Sequence, residues 1–541
     1  MTSNLQFLKP NLVIEPLYDR WYAWAHLLAP ATAAMNIVNR HLKIMNSYIQ
    51  APQMHEAAVK NPAMRGGPFM DFTERRVAEV KRLRDHTLQE QAHMIAFAQA
   101  IKQLDVLLLT SDGHSLELLY EQVPDLLKGY VELVYDLNNH ASFRFFEPLL
   151  YESPYYNPSS ESIALWLTMN DERPFCLSTP RLDEDNVMHL DIPFSSGVID
   201  ELSTMKYKPG SVEKISRRIG IQEKDQALFA SFFTDTAPPP YKKYDGSRIR
   251  MRYFGHACIL VETRSTSILI DPLISYYGYP SEVAHFSDID LPETIDYVLI
   301  THNHQDHILF ETLLPLRHKI KHLVVPRSRS GFLQDPNLKF IFERAGFKNV
   351  IELDELDVVK SSDCTITGLP FTGEHADLNI RTKLCYHVAI DGFKLLFAAD
   401  SRVMEPALYQ HLHRIMGDVD VLLLGMECDG APLSWLYGPL LTTDLSRSKD
   451  SSRRLSGSDY EKGMQLVKIF NPVEVYVYAM GQEPWVEFIS SIKYTPESNP
   501  IIQSDKLLRS CAEANIKAER LFGEKELLYS TKRNPSLSHQ Q

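Results

Sequence analysis

The chain has 541 residues and a mass of 62.0 kDa, more than one ordinary core accommodates, so two or three domains are expected. Hydrophobic residues at 44% and charged residues at 23% exclude a disordered, collagenous or fibrous chain. Lys and Arg total 56 against 69 Asp and Glu, and the net charge of -13 argues against a nucleic-acid surface. No run reaches the ~18 apolar residues of a membrane span.

The opening MTSNLQFLKPNLVIEPLYDRW has no basic segment followed by an apolar run, so no export signal is expected. The cysteines (Cys176, Cys258, Cys364, Cys385, Cys428, Cys511) are scattered without a C-x-x-C pair, which fits reduced thiols in the cytoplasm. Residues up to about 150 read mainly as helix. The best candidate is 74–104, with Val77, Val80, Leu88, Ala92, Ile95 and Ile101 near helical spacing. From 160 to 235 the texture is mixed: IALWLTM, PFCLS and VMHLDIPF suggest strands, and SVEKISRRIG and KDQALFASFF suggest short helices. Pro238-Pro239-Pro240 can continue neither a helix nor a central strand. A boundary near 245 therefore separates 1–245 from 246–541. Beyond it, IRMRYFGHACILVETRSTSILIDPLIS reads as a hairpin of β-branched strands. Strand and helix patterns then alternate to about residue 530, and the tail STKRNPSLSHQQ reads as mobile. The fold class is α+β.

The sharpest motif is Thr301-His302-Asn303-His304-Gln305-Asp306-His307, directly after the apolar run IDYVLI. Imidazole nitrogens and a carboxylate gathered where a strand becomes a loop are metal ligands in a metal-site pattern. H-x-H-x-D-H resembles the metallo-β-lactamase superfamily, an αββα sandwich that binds one or two metals at its strand ends. Asp271, ending the strand ILID, looks like that superfamily's structural aspartate. FTGEHAD falls where its third metal motif belongs, and Asp400 in LLFAADS where it has a bridging carboxylate.

The departures from the superfamily pattern narrow the reading. The strand VEVYVY, which should deliver a last histidine, runs into Ala479-Met480-Gly481. His411 and His413 lie in an amphipathic helical pattern and His539 lies in the tail. Instead, VLLLGMECDG ends a strand with Glu427, and Glu374 immediately precedes His375. Carboxylates in place of imidazoles suit iron or manganese better than zinc.

With these features the chain resembles the dinuclear-iron β-hydroxylases of chloramphenicol biosynthesis, the CmlA-like family, from the opening FLKPN…EPLYDRWYAW onward. That resemblance implies an N-terminal mixed helical/β domain (1–245) for dimerisation or carrier recognition, then a metallo-β-lactamase-like αββα catalytic domain (246–541). It implies two irons held by His302, His304, Asp306, His307, Glu374 and Asp400, with Asp400 bridging and Glu427 joining them. Glu374 and Asp400 count as catalytic, and His375 stands behind the ligands. It further implies dioxygen as co-substrate, an external electron donor or reductase, and hydroxylation of the β-carbon of an amino acid tethered to a peptide-synthetase carrier domain. A homodimer is one use for so large an N-terminal domain.

The rival reading is a zinc-dependent hydrolase, in which metal-bound hydroxide attacks an ester, lactone or phosphodiester. Glu90-Gln91-Ala92-His93 and Glu282-Val283-Ala284-His285 match the E-x-x-H of ferritin-like sites, but such a bundle needs four suitable helices. Arg447, Lys449, Arg453 and Arg454, in a Ser-rich stretch of an acidic protein, form a candidate docking patch for an acidic carrier.

Overall fold

In the computed structural model, residues 5–361 and 363–530 are described. His539 and the tail from 531 onward lie outside them. Two seven-stranded sheets dominate the C-terminal part. The first runs in the order Val350–Leu353, Ile320–Pro326, Ile295–Leu299, Ser267–Ile270, Ile259–Glu262, Ile249–Tyr253, Lys525–Tyr529. The second runs Val358–Lys360, Cys364–Leu369, Cys385–Ile390, Phe393–Phe397, Val421–Gly425, Glu474–Tyr478, Lys517–Arg520. Each sheet begins as an antiparallel meander and continues as a parallel run. The expected hairpin forms, as Ile259–Glu262 with Ser267–Ile270, and Ile249–Tyr253 adds a third strand.

Alternate residues of both sheets, among them Met251, Ile268, Val324, Ile366, Val388 and Leu423, form one buried layer between them. The parallel strands are apolar on both faces because each sheet is covered on its outer side as well. Helices Pro406–Met416, Tyr460–Phe470 and Asn499–Glu513 cover the second sheet. The first is covered by helices Phe310–Leu316 and Leu338–Arg344 together with the N-terminal region, in one continuous core that reaches from Leu8 to Ile489. This is the αββα sandwich with a large addition on one face.

The N-terminal region contains more strand than expected. Leu12–Tyr18 is wholly buried and pairs antiparallel with Glu161–Leu167 in a four-stranded sheet. The predicted helix over 74–104 is divided at Gln91 into Val77–Glu90 and Ala92–Leu108. Gln91 has φ -99° and ψ 18°, and its buried amide donates to Ser160 Oγ at 2.8 Å. Leu88 and Ala92 consequently face outward, and Leu83, Met94, Phe97 and Leu104 carry the buried face. PFCLS is not a strand. Its Cys176 N–H donates to the Phe488 carbonyl at 2.9 Å in an irregular loop. Residues 235–248, including the three prolines, have no helix or strand. Among the described residues no helix is long and apolar enough to cross a membrane.

Candidate metal centre

Seven loops converge at the C-terminal ends of strands from both sheets. From the first sheet come His256 after Tyr253, Asp271 after Ile270, and His302 to His307 after Leu299. From the second come Glu374 after Leu369, Asp400 after Phe397, Glu427 after Gly425 and Ala479 after Tyr478. Several of these residues are in the left-handed region: His256 (φ 49°), Asp271 (40°), Glu374 (63°), Ala399 (47°) and Ala479 (52°). A non-glycine residue held there stores strain that the surrounding packing must impose, and such strain concentrates at functional sites.

Three groups of side-chain atoms, each within 4.8 Å of one another, are suited to hold metal: His302, His304 and Glu374; His302, His307 and Asp400; and His256, Asp306 and His307. His304 Nδ1 lies 2.7 Å from Glu374 Oε1, and His307 Nε2 lies 3.0 Å from Asp400 Oδ2. His302 Nε2 is 3.8 Å from carboxylate oxygens of both Glu374 and Asp400. His302 Nε2, Glu374 Oε2 and Asp400 Oδ1 are all buried without a hydrogen-bond partner among the described residues. Buried polar atoms are normally satisfied, so three orphans on residues of the first two groups fit a bound cation.

The histidines are held in fixed tautomers from behind. Asp271 accepts from Thr301 N (2.7 Å) and Thr301 Oγ1 (2.5 Å), and its Oδ2 meets His307 Nδ1 at 2.8 Å. With a metal bound, the His307 proton would be on Nδ1, leaving the Nε2 lone pair for the centre. Thr301 Oγ1, its proton given to Asp271, accepts from His302 Nδ1 at 3.0 Å, so His302 also presents an unprotonated Nε2. His304 works the other way round. Its Nε2 is 3.0 Å from the Tyr437 hydroxyl, and Nδ1 faces Glu374.

The electrostatics describe a centre short of positive charge. Burial alone would lower His307, but the carboxylates of Asp400, Asp271 and Asp306 hold it well above its usual value. Burial would likewise raise Glu374, yet His304 and His375 bring it far below the ordinary carboxylate range. Asp400 is raised by burial, against the opposing pull of His307. Glu427 is raised well above a usual carboxylate, first by burial and then by Asp400 and Glu374. It joins none of the three groups. Gly425 makes room for this arrangement, because a Cβ there would lie 2.2 Å from Asp400 Oδ1.

The left-handed turn around Gly373, Glu374 and Ala376 brings both Glu374 and His375 inward, where strand alternation would have parted them. Glu374 enters a group with His302 and His304. His375 enters none; its ring stacks on His304 at 4.5 Å, and its Nδ1 lies 3.0 Å from Glu374 Oε2 without the alignment of a hydrogen bond. His411 and His413 are remote, on helix Pro406–Met416, with His413 paired to Asp418.

Sequence reasoning missed His256. It occupies the place opposite the strand that lacks a terminal histidine: Ala479 N–H donates to the His256 carbonyl (2.8 Å) and Gly481 N–H to His256 Nδ1 (3.1 Å). With Nδ1 accepting, the ring proton is on Nε2, 3.3 Å from Asp306 Oδ2. His256 is thus placed to steady the Asp306 carboxylate. The available signal was a single Gly255-His256 step between two strand-like runs.

Of the basic patch, Arg447, Lys449 and Arg454 are exposed, with Arg447 and Lys449 on helix Arg447–Ser452. Arg453 is not free for a partner: its Nε donates to the Ala376 carbonyl at 2.8 Å, beside His375.

Two family models match this chain: a diiron non-heme beta-hydroxylase N-terminal domain over residues 7–238, and a beta-lactamase superfamily domain over 266–431. A curated relative, the 4-amino-L-phenylalanyl-[CmlP-peptidyl-carrier-protein] 3-hydroxylase of Streptomyces venezuelae, is 38% identical over 523 residues, 95% of this chain and 98% of its own length. The crystal structure of CmlA, a diiron beta-hydroxylase from Streptomyces venezuelae, superposes with a TM-score of 0.91 at 36% identity, covering 97% of this chain and 100% of that one. A CmlA mutant structure gives 0.88 over 96% and 99%. The chain belongs to the diiron non-heme β-hydroxylase family.

Proposed function

We propose that the chain is an oxygen-dependent dinuclear iron monooxygenase that hydroxylates the β-carbon of an amino acid held as a thioester on a peptidyl carrier domain. The observation that carries this reading is the donor set. Glu374 closes a group with His302 and His304, and strand Glu474–Tyr478 ends in Ala479-Met480-Gly481 rather than in a histidine. Such a carboxylate-rich site favours iron over the nitrogen-rich environment of a zinc hydrolase. The full-length likeness to a carrier-protein 3-hydroxylase supports the substrate class.

We assign His302, His304 and Glu374 to one iron and Asp306 and His307 to the other, with Asp400 shared and Glu427 alongside. When bound, the two irons supply dioxygen activation with electrons from an external reductase. The protein's own part is positional. Asp271 and Thr301 keep the His307 and His302 lone pairs directed inward, and the His256 ring lies beside Asp306, Nε2 3.3 Å from its Oδ2. Burial of His302, His304, His307, Glu374 and Asp400 helps keep bulk water from the reacting carbon.

Residues 1–245 serve recognition and 246–541 catalysis. The N-terminal family match ending at 238 and the irregular stretch after it favour that division. Exposed Arg447, Lys449 and Arg454 are the remaining patch contacts for an acidic carrier. Six free cysteines favour the reducing cytoplasm. The test is single-turnover mass spectrometry of a loaded carrier beside the free amino acid. Gain of one oxygen on the carrier-bound species alone is expected. Stoichiometric zinc with esterase activity, and no oxygen incorporation, would replace this reading with the hydrolase.

A further inference from the structure

Arg40 is a buried cation without a counter-ion. It lies in a π-helical turn, Ile37–His41, inserted between helices Pro30–Asn36 and Leu42–Gln50. Such turns are rare and mark places where a side chain has been re-aimed. Arg40 is only 7% exposed, and among the described residues no carboxylate pairs with it. Its Nη2 donates to the carbonyls of Trp435 (2.8 Å) and Leu436 (3.1 Å), while Nη1 has no partner among the described residues. Burial lowers the guanidinium to about 10, still charged at neutral pH. A buried, uncompensated charge is costly unless something neutralises it.

Arg40 also lines a cavity of about 560 Å³ between the N-terminal region and the segment 432–439. The other charged residue in its wall is Lys43, which is exposed and forms no ion pair among the described residues; no Asp or Glu lines it. Phe69, Phe175 and Trp435 supply aromatic walls, and Phe175 stacks on Trp435 at 6.1 Å. A cationic, acid-free cavity with apolar sides suits an anion attached to an extended, mostly uncharged chain. The helix Leu433–Tyr437 that forms one wall carries Trp435, and two residues on, Tyr437 touches His304. The cavity and the metal centre are therefore joined by this one helix.

We infer that this cavity takes the phosphodiester end of a carrier domain's phosphopantetheine arm, with Lys43 at the phosphate and the aromatic walls along the arm. This rests on the carrier-tethered reading above and assigns that arm a binding place. It gives the tethered substrate contacts that a free amino acid lacks, remote from the reacting carbon.

The test is equilibrium binding to the full-length protein, followed by tryptophan fluorescence and calorimetry. The probes are 4′-phosphopantetheine, pantetheine without the phosphate, and inorganic phosphate. Phosphopantetheine should bind about tenfold or more tightly than pantetheine, as expected for a charge-assisted phosphate contact, and more tightly than inorganic phosphate. Lys43→Glu should erase that preference while the iron spectrum of the loaded protein is retained. Lys43 is chosen because Arg40 also holds helix carbonyls, and an Arg40 variant could fail for that reason. Equal binding of the two pantetheines, a preference that survives Lys43→Glu, or inorganic phosphate binding as tightly as the arm would each overturn the assignment. A preference without hydroxylation of any loaded carrier would keep the cavity and remove the hydroxylase reading. Hydroxylation without the preference would do the reverse.

Discussion

Two buried polar clusters in this molecule solve the same problem in opposite ways. Where the N-terminal region meets the sandwich, Arg173 forks onto Glu311 (2.8 and 2.7 Å) and reaches Glu15 at 3.0 Å. Arg181 completes Glu15 at 2.8 Å, Trp166 donates to its other oxygen, and Tyr276 donates to Glu311. Two positive and two negative charges close on one another, and none of their side-chain N or O atoms is a buried orphan. The Arg173 guanidinium also lies 3.6 Å from the Phe488 ring. The metal centre gathers at least as many charges, yet leaves His302 Nε2, Glu374 Oε2 and Asp400 Oδ1 open. A closed cluster fixes two parts of a fold against each other, whereas an open one is a site for a ligand. The number of buried charges does not distinguish them; the unspent lone pairs do.

The largest expected effect comes from the open cluster. Asp400→Ala should reduce bound iron from two to one or none and lower turnover by at least ~100-fold, beyond the usual cost of losing an outer-sphere partner. Metal analysis checks it, and two retained irons would remove Asp400 from the shared position. Glu374→Ala should perturb the iron spectrum more than His375→Ala; the reverse order would exchange their roles. In the closed cluster, Arg173→Met leaves Glu311 buried without a cationic partner, while Glu15 keeps Arg181. It should destabilise the chain by roughly 3–5 kcal/mol in urea unfolding, with iron content per folded molecule unchanged. A double replacement that also converts Glu311 to Gln should recover much of that loss.

The clusters also differ in how far the sequence discloses them. His302, His304, Asp306 and His307 are legible because four donors share one loop after one apolar strand. Asp271, Asp400 and Glu427 are legible for a similar reason, each ending a strand of recognisable pattern. His256 is not, because its neighbour Gly481 is 225 residues away and only strand packing joins them. The closed cluster is equally hidden: Glu15, Arg173, Arg181 and Glu311 come from a strand, a loop and a helix with nothing local to link them. The fold followed the same rule. Parallel strands announced themselves as apolar runs, but the break at Gln91 depends on a distant Ser160, and the apolar look of PFCLS reflects contact with Phe488 rather than strand pairing.

A third buried acid gives a smaller, pH-dependent effect. Burial raises Glu161 to about 7, although the Phe194 N–H (2.7 Å) favours its charged form. The folded state therefore holds this proton more tightly than the unfolded chain, whose value is near 4.5. Its contribution is complete below pH 4.5 and is lost as pH rises toward 7. The loss is about 3 kcal/mol at most. Glu161→Gln should flatten the stability curve across that window; an unchanged slope in urea melts from pH 5 to 7.5 would assign the dependence elsewhere.

The smallest effect sharpens the contrast most, because it closes one bond behind an open site. His304 turns Nδ1 toward Glu374 and Nε2 toward Tyr437. If Nδ1 meets iron, Nε2 must carry the proton, and a buried N–H needs an acceptor. The Tyr437 oxygen is that acceptor, and burial holds its phenol well above its usual value, so it remains uncharged. Tyr437→Phe keeps the ring that packs against His26 at 6.0 Å but removes the oxygen. It should weaken iron binding by roughly 10–100-fold, the usual cost of losing a histidine's outer partner. Chelator competition measures that change, and a urea melt of the iron-free protein should shift only by the ~1 kcal/mol of one hydrogen bond. Unaltered iron affinity would mean that His304 does not bind through Nδ1, and the assignment of His302, His304 and Glu374 to one ion would have to be redrawn.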